Sequence, residues 1–417
     1  MSRTLFIFIF SLFFQNNRVL SQDSIDSIPA PKLNHSIEFE GDVFINSNTI
    51  SNDFIWAFYR GEFIDEELKQ GASRKISKSN RLGGYSKLGF KYSLHLQEEK
   101  KSHSYSFAFF DRQHIDAKFS DDLFHTIFYG NKLFTGESAL LGNFNFDFLR
   151  YQQFRFGWDK KRDTNHGYGV ALSFLNGEQN LSVRVPTADL YTANDGTYMD
   201  FSLALDVHQT DSARKKFFAQ NGIGASTDFY YEMPYTFWNK TGKVFFELND
   251  LGFIRWNSSS MHYSADSSYH YEGVEIDDLF NLDGTTTQIN IDKVIDKNTR
   301  FEKKIYTTNI PFTLKFHTIF YYAKRAAFEY GMMYRINTSS KLYYYTKFHF
   351  FVGREKSIRL SYILGYGDYG KLHSGLEAKI DFAKYYSLHV INNYLFSGIT
   401  TQSSAGMGLY LKVAGRF

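Results

Sequence analysis

The chain has 417 residues, 44 of them Phe and 30 Tyr, with five Pro and no Cys; this excludes disulfides, thiolate metal sites and a cysteine-linked lipid anchor. A net charge of +3, with basic residues scattered along the chain, gives no electrostatic footprint for nucleic acid. Aromatics reach 19% although mean hydropathy is negative, and no run beyond the N-terminus approaches the ~18 apolar residues of a membrane helix.

Arg3 precedes a run from Leu5 to Phe14 interrupted only by Ser11, the length of a signal-peptide core and too short to cross a bilayer. Val19 and Ser21 suit the small positions ahead of a cleavage site. Residues 1–21 are therefore expected to be a cleaved signal peptide, and the mature chain to start at Gln22 outside the cytoplasm. Residues 22–83 are expected to form an N-terminal segment ahead of the main domain. Within it Phe54, Ala57, Phe58, Ile64 and Leu68 recur at helical spacing around Gly61. They predict a helix near 53–70, either a plug inside the main domain or a loop helix beside it.

From residue 84 the period changes to two. Leu88, Phe90, Tyr92, Leu94 and Leu96 alternate with Lys91, Ser93, His95 and Gln97, and Tyr105, Phe107 and Phe109 resume after a charged turn at 98–101. Residues 120–128 read as a short amphipathic helix. Phe144, Phe146 and Phe148, then Phe154, Phe156 and Trp158, read as two further strands. Tyr168, Val170, Leu172 and Phe174 lead into Asn176-Gly177, a hairpin-turn dipeptide, and Leu181, Val183 and Val185 return. Met199 to Val207 alternates with Asp200, Ser202, Asp206 and His208. The second half adds strands around 244–248, 312–316, 342–352, 358–366, 376–382 and 388–390, with an acidic, helix-like stretch at 272–296. The last strand places Met407, Leu409, Leu411 and Val413 on one face and Tyr410, Lys412, Ala414 and Arg416 on the other.

Several runs reach nine to eleven residues, the span of a tilted membrane strand, where soluble strands average five or six. Tyr343-Tyr344-Tyr345 and Tyr385-Tyr386 sit near strand ends, as an aromatic girdle would. A terminal strand with an apolar face is an exposed edge in a soluble domain, but in a closed barrel it pairs with the first strand. The fold expected for 84–417 is therefore all-β: a transmembrane antiparallel β-barrel of about 14 strands, within a range of roughly 12 to 16. Its polar faces carry Lys91, His95, Arg155, Arg184, Lys347, Arg359, Lys379 and Lys412 together with Asp147, Asp200, Asp206 and Asp381. Such a face suggests a lumen filled by side chains, with the charges pairing across it.

Catalytic and cofactor signals are weak. His103, His114 and His125 recur every eleven residues but in different elements, and no metal site is expected there. The acidic loop with Asp277, Asp278, Asp283 and Asp292 lacks the order of an EF-hand. Ser93 with His95, and Ser202 with Asp206 and His208, share faces, as alternation produces freely. No catalytic, cofactor or metal residue is assigned, no enzyme activity is expected, and ligand-binding residues stay unassigned.

Two stretches carry a resemblance: Leu248-Asn249-Asp250-Leu251-Gly252-Phe253-Ile254-Arg255-Trp256-Asn257, and Phe128-Tyr129-Gly130-Asn131-Lys132 with its continuation to Gly136. With Gln22 after the cleavage site, they resemble an uncharacterised Bacteroidota family of outer-membrane barrels related to the FadL-type hydrophobic-compound channels and, more loosely, to PorV- and PorP-type barrels. The resemblance implies a barrel of about fourteen strands with an N-terminal plug, and passage of small hydrophobic compounds across the outer membrane. The alternative is a scaffold barrel serving a secretion or gliding machine. Implied partners are outer-membrane lipid, the barrel-assembly machinery through the C-terminal strand, and a hydrophobic small molecule. Gly415 departs from the apolar residue that insertion signals favour. Within the G-F-I-x-W run, Phe253 and Trp256 are expected at the membrane interface or in a ligand-contacting cluster.

Overall fold

The computed structural model describes residues 32–97, 101–162, 166–211, 213–214, 216–237, 240–272, 300–353, 357–382, 385–395 and 405–417. The signal peptide and the acidic stretch at 273–296 lie outside these residues. The strands in chain order are β1 (Lys32–Ser47), β2 (Asn80–Gln97), β3 (Lys101–Phe119), β4 (Ser138–Leu140), β5 (Phe144–Arg162), β6 (Gly167–Val185) and β7 (Ala188–Thr192). Then come β8 (Met199–Gln209), β9 (Gly222–Phe237), β10 (Lys240–Trp256), β11 (Met261–Tyr271), β12 (Arg300–Lys303) and β13 (Thr307–Asn309). The last seven are β14 (Phe312–Ala323), β15 (Ala326–Ile336), β16 (Lys341–Val352), β17 (Ile358–Asp368), β18 (His373–Phe382), β19 (Tyr386–Asn392) and β20 (Met407–Arg416).

Fourteen of them close a barrel in the order β1, β2, β3, β5, β6, β9, β10, β14 to β20, every neighbouring pair antiparallel. The ring shuts where β20 pairs with β1, from Ser36↔Arg416 to Ile45↔Met407. Phe417 extends that ladder: its N–H donates to the His35 carbonyl (3.0 Å) and its own carbonyl accepts from the His35 N–H (2.8 Å). The closing strand thus does what its alternation implied. Leu409, Leu411 and Val413 face outward and exposed, as do Leu88, Phe156, Leu172, Phe253, Phe316 and Leu360 on other staves. A continuous apolar outer belt around a polar interior is the arrangement that lipid demands.

The boundary expected at residue 84 falls elsewhere. Lys32–Ser47 is the first stave of the wall, paired along its whole length with β2, so the barrel already includes residues 32–47. Glu38, Glu40 and Asp42 face inward while Phe39 and Val43 face lipid. The expected helix near 53–70 is two helices between β1 and β2, α1 (Asn52–Arg60) and α2 (Glu66–Ser73). Gly61, at φ 66°, ends the first, and the Asp65 carboxylate caps the second by accepting from the Leu68 N–H at 2.9 Å. α3 (Asp121–Tyr129) follows β3 and packs Phe124 and Phe128 against Phe54 of α1. The Asn52 side chain clamps α1 to the loop before β20, donating to the Gly406 carbonyl and accepting from its N–H. These helices stand at the end of the barrel that carries the long connections; Lys32, Phe417 and the β14–β15 turn lie at the other end.

Two more readings change. Phe144–Arg162 is one strand of 19 residues, and Asn176-Gly177 lies inside another of 19. There Gly177 is needed for space, because a Cβ would stand 2.7 Å from Trp256 and Ile254 side-chain atoms. The ladder absorbs one extra residue, Glu178, as a bulge between Arg150↔Gln179 and Tyr151↔Gly177.

Candidate functional site: the lumen and its outer mouth

Many of the inward charges on the described staves are paired with one another. Near the short-turn end, Glu377 is almost fully buried and accepts from Lys347 (2.8 Å), Arg359 and His389 (3.1 Å). Beside it Glu329 accepts from the Tyr345 hydroxyl (2.9 Å) and meets His349 at 3.1 Å, while His317 links it to Glu247. At mid-height the Arg112 guanidinium grips both oxygens of Asp250 (3.1 and 2.9 Å) and donates to Gln153. Asp250 takes a positive φ of 66° where β10 slips register, which turns its carboxylate inward.

Some of these contacts bridge the ring rather than line it. β2 and β15 stand seven staves apart in either direction, yet the Arg335 guanidinium of β15 lies 4.9 Å over the Tyr85 ring of β2. Arg335 also pairs with Asp368 at 3.4 Å, and Tyr85 donates to Asp42 at 2.8 Å. Asp116 of β3 accepts from the Tyr369 hydroxyl (2.7 Å) and from the Ser339 N–H (2.8 Å), the latter in the β15–β16 turn. Gly83 leaves the room that the Tyr369 ring fills, since a Cβ there would overlap it at 2.0 Å. Above this layer opens a cavity of about 600 Å³, lined among others by Asp116, Asn180, Arg184, His208 and Tyr306. Beside it Leu149, Tyr151, Leu175, Ile254, Trp256 and Ile310 pack into a buried apolar cluster, which reaches the cavity through Leu149.

Around the mouth, β6 outlives its pairing with β9 and pairs instead with β8, which joins β7 on the same edge and β11 on the other. β4 and β12 complete a side sheet. Phe201, Leu203 and Leu205 pack on one face with Ala139, Val185 and Leu190. Asp206, His208 and His262 gather on the other.

The sequence-level candidates are distributed as follows. Arg155 meets Asp228, Arg184 meets Asp147, and Lys412 meets Glu38 inside the wall. Asp200 and Asp206 belong to the side sheet, not to the lumen. His95 lies between Ser36 and Ser104; His114 stacks on Tyr151; His103 stacks on Trp158; His125 meets Ser73. The last three are not brought together. Trp256 is not at the membrane interface: it is fully buried and its indole N–H donates to Thr308 at 3.0 Å, while Phe253 does face outward. Of the tyrosine triplet only Tyr344 faces out. Sequence reasoning missed Glu329, Glu377, Arg112 and Arg335. Glu329 between Phe328 and Tyr330, and Glu377 between Leu376 and Ala378, carried the period-two signal, but alternation does not separate a lumen acid from a solvated one.

Fold and site together define a transmembrane β-barrel of the outer-membrane type, closed by fourteen staves with a bridged lumen. The chain belongs to a family of unknown function (DUF5723), whose model matches residues 37–386. No curated protein matches the chain in sequence. Among solved structures it is similar to a TodX deltaS2S3 mutant monoaromatic hydrocarbon channel, at 8% identity and TM-score 0.42 over 93% of this chain and 90% of that one. It is also similar to the Pseudomonas putida toluene transporter TodX (7%, 0.39, 92% and 88%). For the Ralstonia pickettii toluene transporter TbuX the values are 7% and 0.33 over 92% and 89%.

Proposed function

We propose that the protein is an outer-membrane barrel sealed across its lumen, working at its extracellular face as a scaffold or receptor platform for other molecules. The observation that carries this reading is the bridge between opposite walls: Arg335 over Tyr85 at 4.9 Å. The Asp116 contacts to Ser339 and Tyr369 and the Arg112–Asp250 pair reinforce it. Taking such charges out of water is costly unless their partners stay in place, so the layer resists opening and favours a wall over a pore. Long connections project outward in outer-membrane barrels, which puts the side sheet and the cavity on the cell exterior. No catalytic step belongs to this reading, and a secretion or surface machine is the kind of partner it suits.

A second reading, passage of a small hydrophobic compound, is favoured by the cavity of about 600 Å³ above the bridging layer, where Leu149 and Tyr306 add apolar surface to a mixed lining. It requires the bridging layer to part. Planar-bilayer recording and mass spectrometry of organic extracts separate the two. The sealed barrel is expected to show no steady ion conductance, to gain conductance in the Arg112→Ala/Arg335→Ala double variant, and to carry no specific lipophile. Steady conductance of the unaltered protein overturns the sealed reading; a stoichiometric co-purifying lipophile selects the second.

A further inference from the structure

The side sheet carries a cluster that neither reading uses. Asp206 and His208 are two residues apart on β8 and so share a face. In the antiparallel register His262 of β11 stands directly opposite His208. Their rings stack with centroids 4.4 Å apart. His208 Nδ1 lies 3.0 Å from one Asp206 oxygen and His262 Nε2 lies 2.9 Å from the other. All three donor atoms fall within 4.8 Å of one another, the spacing of ligands around one small ion. Two paired strands hold them, so little side-chain freedom is left to lose on binding.

A second, independent feature stands behind the first. His262 Nδ1 is 3.0 Å from Glu302 Oε1 on β12, and Lys304 Nζ holds the same carboxylate at 3.1 Å. A ligating histidine characteristically gives its other ring N–H to a carboxylate, which fixes tautomer and orientation. In the tautomer whose Nδ1–H donates to Glu302, Nε2 presents its lone pair 2.9 Å from Asp206, which offers only lone pairs of its own. A cation between them satisfies both. His208 is seated separately, its ring 4.8 Å from Tyr306, whose hydroxyl donates to Asn180 at 2.8 Å. Asp206 remains open to solvent and His208 lines the cavity, so a fourth position can take water or a ligand group.

We propose that Asp206, His208 and His262 bind one divalent first-row transition-metal ion of the zinc class at the outer mouth of the barrel, with Glu302 as a positioning residue behind His262. Two imidazole nitrogens and one carboxylate with an open position suit Zn²⁺ and its neighbours and disfavour Mg²⁺ or Ca²⁺, which require oxygen ligands. The site stands whether the lumen is sealed or not.

The test is calorimetric titration of the detergent-purified full chain, stripped with chelator, using Zn²⁺, and visible spectroscopy with Co²⁺. One ion per chain is expected at micromolar concentration, with the visible bands of nitrogen-ligated Co²⁺. His208→Ala and His262→Ala should each abolish binding. Glu302→Gln should weaken it by roughly 10–100-fold and leave the stoichiometry unchanged. The ligands lie outside the barrel wall, so all variants should keep the heat-dependent gel mobility of a closed barrel, which separates lost binding from lost folding. Absence of Zn²⁺ binding to the unaltered protein, or unchanged binding in both histidine variants, overturns the proposal.

Discussion

His270, at the outer end of β11, lies between the carboxylates of Asp200, directly opposite on β8, and Glu272. The hydrogen bond to Asp200, and after it the one to Glu272, holds its imidazole above the ordinary value. A raised folded value means that this contribution is complete below the unfolded imidazole pKa and is lost as pH rises through the folded one. The titration midpoint of His270, followed by NMR in micelles, should therefore exceed that of a free imidazole, and Asp200→Asn should lower it; an unmoved midpoint in that variant would contradict the assignment. The same scale shows what alternation conveys. Lys347, Arg359 and Lys412 are legible as polar-face positions of alternating strands. Their partners are not, because Glu377 and Glu38 reach them from other staves. Trp256 went astray for a related reason: an aromatic near a strand end suits an interface or a core equally well, and Gly177 and Gly222, which make its pocket, lie on other strands.

At the scale of elements, turn chemistry competes with close approach. Asn176-Gly177 carries the signature of a tight hairpin, yet the chain runs straight through it because Ile254 and Trp256 occupy the space a side chain would need. Gly177→Ala should overpack this contact at about 1–3 kcal/mol and lower the temperature at which the barrel loses its folded gel mobility. Gly71→Ala is the control: it lies in α2 with open space about its Cβ, so the better helix former leaves that temperature unchanged or raises it. Helices were easier to read. Those at 53–70 and 120–128 are local objects, set by apolar spacing, Gly61 and the caps Asp65 and Ser120. β1 was harder, since its lumen face of acids looks like a solvated segment until β20 closes beside it.

Across the whole molecule the wall is uneven. β3, β5 and β6 have 19 residues each, whereas β18 has 10 and β19 has 7. At about 3.3 Å per residue and a tilt of roughly 40°, a stave of 19 residues rises about 45 Å, against a hydrocarbon core of about 30 Å. The tall side therefore overtops the membrane and offers β8 an edge to pair with, and this builds the side sheet. The orientation is checkable because the chain has no cysteine. Thr197→Cys, beside the side sheet, should react with a membrane-impermeant maleimide on intact cells, and Lys324→Cys, in the β14–β15 turn, only after lysis; the reverse pattern would invert the assignment. The sequence by itself determined the class of the fold, since period two, aromatic richness and scarce proline are local properties that lipid on one side and a polar lumen on the other impose on each strand. Only the tertiary structure decided that the lumen is bridged and that two histidines and an aspartate meet at its mouth. Those facts depend on register and on which staves stand opposite, and no single strand records its neighbour.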